Sequence, residues 1–223
     1  MAAFPSKRAS YLLLVCIGLA DGLITMAAKK GGSGGAFKGK GFGFKQPTLA
    51  DVVSSITSRL PEHPESAVCA CGSGEPYAAC CQPYHLGLRV ATSAERLIRT
   101  RYSAFAYRLP VYIVNTTHPV NRDYRADTIE WVQLLDARGM FDSFEFESLV
   151  IGGDEGASAD ERFLDFTVTL RAAENDGGIA AGQELTVSER SRFLPNADGS
   201  GWLYASGEVR AQVDGLENAV LNG

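Results

Sequence analysis

The stretch Glu161-Arg162-Phe163-Leu164-Asp165-Phe166-Thr167-Val168-Thr169-Leu170-Arg171 decides the fold. Leu164, Phe166, Val168 and Leu170 alternate with Asp165, Thr167 and Thr169, the period-two pattern of a strand with one buried and one wet face. Residues 183–194 repeat the pattern, with Leu185, Val187, Glu189, Ser191 and Phe193 on one side. Residues 143–151 and 202–209 read as two further strands. Gly152-Gly153, Asn175-Asp176-Gly177-Gly178 and Asn196-Ala197-Asp198-Gly199 mark turns between them. Strands joined in sequence by such turns form an antiparallel meander.

Upstream of the strands the period becomes helical. Thr48 caps a short helix, with Asp51 in its first turn and Val52, Val53 and Ile56 as its apolar stripe; Pro61 and Pro64 end it. Thr92-Ser93-Ala94-Glu95 reads as a capping box opening a longer helix, whose Ala94, Leu97, Ile98, Tyr102 and Phe105 recur on one face. Leu109-Pro110 breaks it. Shorter helices follow over 111–116 and about 124–137, the latter with Ile129, Val132 and Leu135 on one side. Three helices followed by four sequential strands define an α+β fold with the helices on one face of the sheet.

Between the first helix and this domain lies Cys69-Ala70-Cys71-Gly72-Ser73-Gly74, then Cys80-Cys81-Gln82-Pro83-Tyr84-His85. Four thiols in two close pairs suit a tetrahedral zinc shell with no open position, which argues for a structural rather than a catalytic ion. Gly72 and Gly74 permit the sharp turns that ligands so close in sequence require. Two local disulfides, a redox-active thiol pair and an iron–sulfur site are the alternatives that spacing leaves open. His85 stands outside the shell, since four thiols complete it.

The run CACGSGEPYAACC at Cys69–Cys81 resembles the SEC-C motif, a zinc knuckle found at the carboxyl end of the bacterial preprotein-translocase motor ATPase and in unrelated proteins. The resemblance implies Cys69, Cys71, Cys80 and Cys81 as zinc ligands; Ala70 departs from the usual Pro. CCQPYHLG, SAERLIRTRYSAFA, NTTHP, SERSRF and GWLYASG follow in order. Together they resemble the YchJ-type family of uncharacterised proteins, which joins a SEC-C motif to a domain like nuclear transport factor 2 (NTF2). That likeness covers about residues 66–210. It implies a cystatin-like cone of three helices on a curved antiparallel sheet, preceded by the knuckle. Ser188 stands where the family pattern has His, and 153–160 and 174–183 read as longer loops.

An NTF2-like cone encloses a cavity that some relatives use as an active site. Arg101, Tyr102, His118 and Glu189 are the candidates to line it, with Glu130 and Arg190 beside them. Glu189 shares a face with apolar residues, so its carboxylate needs a partner there, and Arg101 is one. Such a pair serves either as an acid/base or ligand anchor or as a buried brace of helix against sheet; the brace is preferred. His118, before Pro119, reads as a capping or packing residue, and Trp131, Trp202 and Tyr204 as core aromatics. No Ser-His-Asp order, phosphate loop or dinucleotide fingerprint is present.

The charge is divided along the 223 residues. Residues 1–45 hold seven basic residues against one acid, a net +6; residues 46–223 hold fourteen arginines, no lysine and twenty-five acids, a net −11. An acidic body argues against nucleic acid as a partner, because phosphate contacts need a basic face. Lys7 and Arg8 precede an apolar run to Ala28 with Thr25 and Ala27 at a cleavage position, a targeting leader over 1–28. Asp21 within the run argues against a permanent membrane span. An uncleaved anchor is the alternative. Residues 29–47 form a Gly/Lys-rich linker, and the organisation continues with 48–65 (short helix and linker), 66–90 (knuckle), 91–212 (NTF2-like domain) and 213–223 (tail). The leader implies an organelle or the secretory route; its likeness to bipartite leaders of algae with complex plastids makes a plastid the candidate, with the cytoplasm as alternative. The functional expectation is a zinc-binding protein-interaction module, with chaperone, translocation or ribosome-associated partners by analogy to the translocase motor. An enzyme or small-ligand binder using the cone, and a thiol-redox protein, are the alternatives.

Overall fold

The computed structural model describes residues 46–137, 141–158, 160–175 and 179–213. The leader, most of the linker and nearly all of the tail lie outside these residues. Helix α1 (Leu49–Ser55) is followed by a single 3-10 turn at Tyr77–Ala79, then α2 (Gln82–His85), α3 (Ala94–Ala106), α4 (Pro110–Asn115) and α5 (Thr128–Ala137). Four strands complete the chain: β1 (Phe144–Ser158), β2 (Glu161–Ala172), β3 (Glu184–Pro195) and β4 (Trp202–Val213). They form one antiparallel sheet in the order β1-β2-β3-β4. Among the described residues no helix is long and apolar enough to cross a membrane.

The alternation read from the sequence holds on the two central strands. Leu164, Phe166, Val168 and Leu170 of β2 are buried, as are Leu185, Val187, Glu189, Ser191 and Phe193 of β3. This face packs on Leu97, Ile98 and Tyr102 of α3. The opposite side of α3 presents Ala104 and Phe105 to a second core built from α1, α4 and α5, with Val52, Ile113, Trp131 and Val132. The amphipathic stripe of α3 is therefore too narrow a description: the helix is buried on two sides, between the sheet and the other helices.

Three local expectations are corrected. Gly152-Gly153 is not a turn but lies inside β1, where the pairing with β2 shifts between Ile151 and Asp154. A Cβ at Gly152 would stand 2.9 Å from the Asp165 carbonyl oxygen, so glycine there serves close strand approach at a bulge. As a result β1 runs on to Ser158, and most of the stretch 153–160 read as a loop is strand. The capping box at 92–95 is not formed: Ser93 is the cap, accepting from the Arg96 amide, while Glu95 pairs with Arg99 one turn on. The reciprocal box occurs instead at Thr48 and Asp51. Helix α5 starts at Thr128, not near 124, because the Asp127 carboxylate accepts from the Glu130 amide.

Candidate metal centre and the buried polar cluster

The knuckle is built by short-range turns. The Cys69 amide donates to the Glu75 carbonyl and the Gly72 amide to the Cys69 carbonyl, and an isolated bridge joins Val68 to Pro76. Gly72 and Gly74 have φ of 75° and 80°, in the left-handed region that a side chain disfavours. These turns bring the Cys69, Cys71, Cys80 and Cys81 sulfurs within 4.8 Å of one another, all buried. Cys71 and Cys80 sulfurs are 3.5 Å apart and those of Cys80 and Cys81 3.8 Å, so the thiols are free. A tetrahedron with zinc–sulfur bonds of about 2.3 Å has edges of about 3.8 Å, so this donor set fits a tetrahedral thiophilic ion.

Electrostatics agree with that fit. Hydrogen bonds from Cys69 and Cys81 pull the Cys71 thiol well below its ordinary range. As the donor to Cys71, the Cys69 thiol is pushed up to about 12; Cys81, donating to the same pair in a drier position, is pushed up further. Thiolates packed this closely repel one another, and a bound cation turns such a cluster into a favourable anionic shell. The cluster is also anchored to the body. Arg96 reaches the Cys80 sulfur at 3.7 Å, Arg99 donates to the Cys71 carbonyl at 3.0 Å, and the Tyr107 hydroxyl accepts from the Ala70 amide at 2.9 Å.

His85 lies outside the sulfur cluster. Its Nε2 is 2.9 Å from the Thr100 carbonyl and its Nδ1 2.8 Å from the Tyr77 hydroxyl. A carbonyl can only accept, so Nε2 carries the proton and Nδ1 accepts from Tyr77. Burial pushes this imidazole down to about 4, which keeps it neutral as a clamp between α2 and α3.

The cone interior holds a second polar group. Arg101 is buried and donates to the Ile113 carbonyl (3.0 Å) and to the Thr116 (2.8 Å) and Thr117 (3.2 Å) hydroxyls, with its guanidinium 4.8 Å from the Tyr204 ring centre. Glu189 is 2% exposed and accepts from the Ser191 hydroxyl. The expected direct Arg101–Glu189 ion pair is not made: Arg101 is spent on the α4 end and on Tyr204. Burial pushes the Glu189 carboxyl from 4.5 up to about 8, against the lowering effects of the Ser191 and Tyr204 hydroxyls and the Arg101 charge. Glu189 Oε2 and the Tyr102 and Tyr204 hydroxyls have no hydrogen-bond partner.

Arg101 and Tyr102 line a cavity of about 30 Å3 with Phe105, Phe146, Phe166 and Tyr204. That is the share of one water molecule. Glu189 and His118 do not line it. The His118 amide donates to the Tyr204 carbonyl and its Nδ1 accepts from the Val120 amide, so it closes the turn that joins the helices to β4. Glu130 is exposed near Arg125, 4.0 Å away. Arg190 is on the outer sheet face, 3.8 Å from Asp165. Ser188 is also on that face, bonded to Thr167 at 2.9 Å, so its departure from the family pattern does not reach the cone. Sequence reasoning missed Gly207: a Cβ there would fall 2.0 Å from Glu189 Oε1 and 2.7 Å from the Tyr204 hydroxyl. A lone glycine inside a strand pattern was the available signal.

A buried four-cysteine knuckle on a helix-packed antiparallel sheet defines a SEC-C-type protein with an NTF2-like domain. Residues 93–207 match the family profile described as YchJ, middle NTF2-like domain. A UPF0225 protein of Streptomyces avermitilis is 34% identical over 152 residues, covering 68% of this chain and 91% of the relative. Another, from Deinococcus radiodurans, is 38% identical over 136 residues, covering 61% and 85%. The solution structure of a SEC-C motif containing protein from Rhodopseudomonas palustris aligns with a TM-score of 0.50 at 30% identity, over 64% of this chain and 98% of that one. The chain belongs to the YchJ-like (UPF0225) family.

Proposed function

We propose that the protein is a structural-zinc module that docks other proteins through its SEC-C knuckle, with the NTF2-like body as platform. The observation that carries this reading is the closed sulfur cluster, Cys69, Cys71, Cys80 and Cys81, buried and complete without a further ligand. A closed thiolate shell supplies folding energy to a segment with little core of its own and leaves the surrounding side chains free for contact. Partners of the chaperone, translocation or ribosome-associated kind follow by analogy to the translocase motor. Affinity capture with the wild-type chain and with Cys80→Ser tests the reading: partners are lost with the substitution, and an unchanged partner set contradicts it.

The enzyme or ligand-binding reading of the cone is favoured by one observation, the buried Glu189 carboxyl, which burial pushes up and whose Oε2 has no hydrogen-bond partner. A cavity of about 30 Å3 weighs against it. A thiol-redox role is disfavoured by the burial of all four sulfurs, which shields them from an attacking disulfide. The leader supports delivery to an organelle or the secretory route. Imaging the full chain against one lacking residues 1–28 tests it, and identical cytoplasmic distributions contradict it.

A further inference from the structure

A half-open groove of about 570 Å3 runs between the knuckle and the body. Ile56 just after α1, Tyr84 of α2, Val90, Tyr112 of α4 and Trp202 of β4 supply apolar surface to it. Its rim continues outward: Leu86 is 64% and Val90 50% exposed, and Leu88 between them is 74% exposed. Aliphatic side chains left this open in a short run mark a contact surface rather than a core.

The charge of the groove contrasts with that of the body. No carboxylate lines it, although residues 46–223 carry twenty-five acids. Two arginines do. Arg108 is held by Asp136 and Asp142 at 2.9 Å, whereas Arg89 is exposed and forms no ion pair among the described residues. An apolar trough with one free cation complements a chain that carries aliphatic side chains and carboxylates. The groove is also tied to the metal centre. Cys81 is the residue from which α2 starts, so the cluster fixes the wall that bears Tyr84 and Leu86.

We infer that this groove docks an acidic, aliphatic peptide segment of a partner protein, with Arg89 pairing a carboxylate and Leu86, Val90 and Trp202 covering the apolar side chains. The inference rests on the interaction reading above and names its face and the chemistry of its occupant. The test uses the full zinc-loaded chain and three labelled peptides, one alternating Leu and Glu, one Leu and Lys, and one Ser and Glu. Anisotropy and Trp202 emission report binding.

The Leu/Glu peptide binds and shifts Trp202 emission, and the other two bind about tenfold or more weakly. Arg89→Glu and Leu86→Ser, both at exposed positions, weaken Leu/Glu binding to a similar extent while zinc content and circular dichroism stay unchanged. Equal binding of the Leu/Lys peptide, or indifference to Arg89→Glu, overturns the proposal. So does a Leu/Glu peptide that binds only after residues 1–45 or 214–223 are deleted, since the chain's own ends would then be the occupant. Binding of decanoate without the peptide overturns it in favour of a small-molecule pocket. If no peptide binds but Cys80→Ser still abolishes partner capture, the groove proposal fails and the interaction reading stands. If the peptide binds with the predicted dependence but capture ignores Cys80→Ser, the groove stands and the metal-dependent reading fails.

Discussion

The knuckle and the cone body reach order by opposite routes. In the knuckle, four cysteines lie within thirteen residues, and backbone hydrogen bonds spanning three to fourteen residues bring them together. Its buried groups besides the cysteines are few, chiefly Tyr77 and Tyr107. In the body, order comes from period-two strands and a helix sandwiched between two cores. One region is organised by local ligand spacing and the other by long-range burial, so each should fail separately when its own source of order is removed.

The largest effect concerns the zinc proposed for the four-cysteine cluster. Structural zinc contributes on the order of 10 kcal/mol to folding of a small site. Chelation or Cys80→Ser should abolish hydrogen-exchange protection over 66–90 while β2 and β3 stay protected. Loss of protection in both regions together would break the comparison.

The next effect belongs to the body alone. The Glu189 carboxyl is raised from 4.5 to about 8, so the neutral acid is the form the fold accommodates. Its favourable contribution is whole below 4.5, declines as pH rises towards 8, and is flat beyond. The slope is at most about 1.4 kcal/mol per pH unit. Denaturant titrations at pH 5 and pH 8 should show this loss, and Glu189→Gln should remove most of it without changing metal content. Equal pH dependence in the two proteins would contradict the assignment.

Gly207→Ala places a methyl against the Glu189 carboxyl and the Tyr204 hydroxyl, and should destabilise the body by about 1–3 kcal/mol. Equilibrium unfolding measures it, and zinc retention should be unaffected. The smallest effect is at the edge of the helical layer. Thr48→Ala removes the side-chain half of the capping box, leaving the backbone amide at 48 bonded to Asp51, and should cost about 1 kcal/mol, read as a lower midpoint of unfolding.

The same contrast explains what the sequence could tell. The four-cysteine cluster was legible because its geometry is local: glycine turns and paired cysteines are written side by side. The buried faces of β2 and β3 were equally legible, because alternation is a backbone property. The partner of Glu189 was not. Its inward face could be read, but whether Arg101 or Ser191 meets it depends on how the end of α4 captures the guanidinium, a contact across elements. The Gly152-Gly153 pair misled for a related reason, since glycine marks both turns and bulges, and only the close approach of Gly152 to the Asp165 backbone distinguishes them.

The most direct measurement of the central claim is metal content together with thiol reactivity on the purified full chain. The account predicts one zinc per chain after exhaustive dialysis. Cys69, Cys71, Cys80 and Cys81 should be unreactive to a thiol reagent until a chelator is added, whatever Cys16 does. A metal-free folded chain, or four reactive or disulfide-linked cysteines in that region, would contradict it.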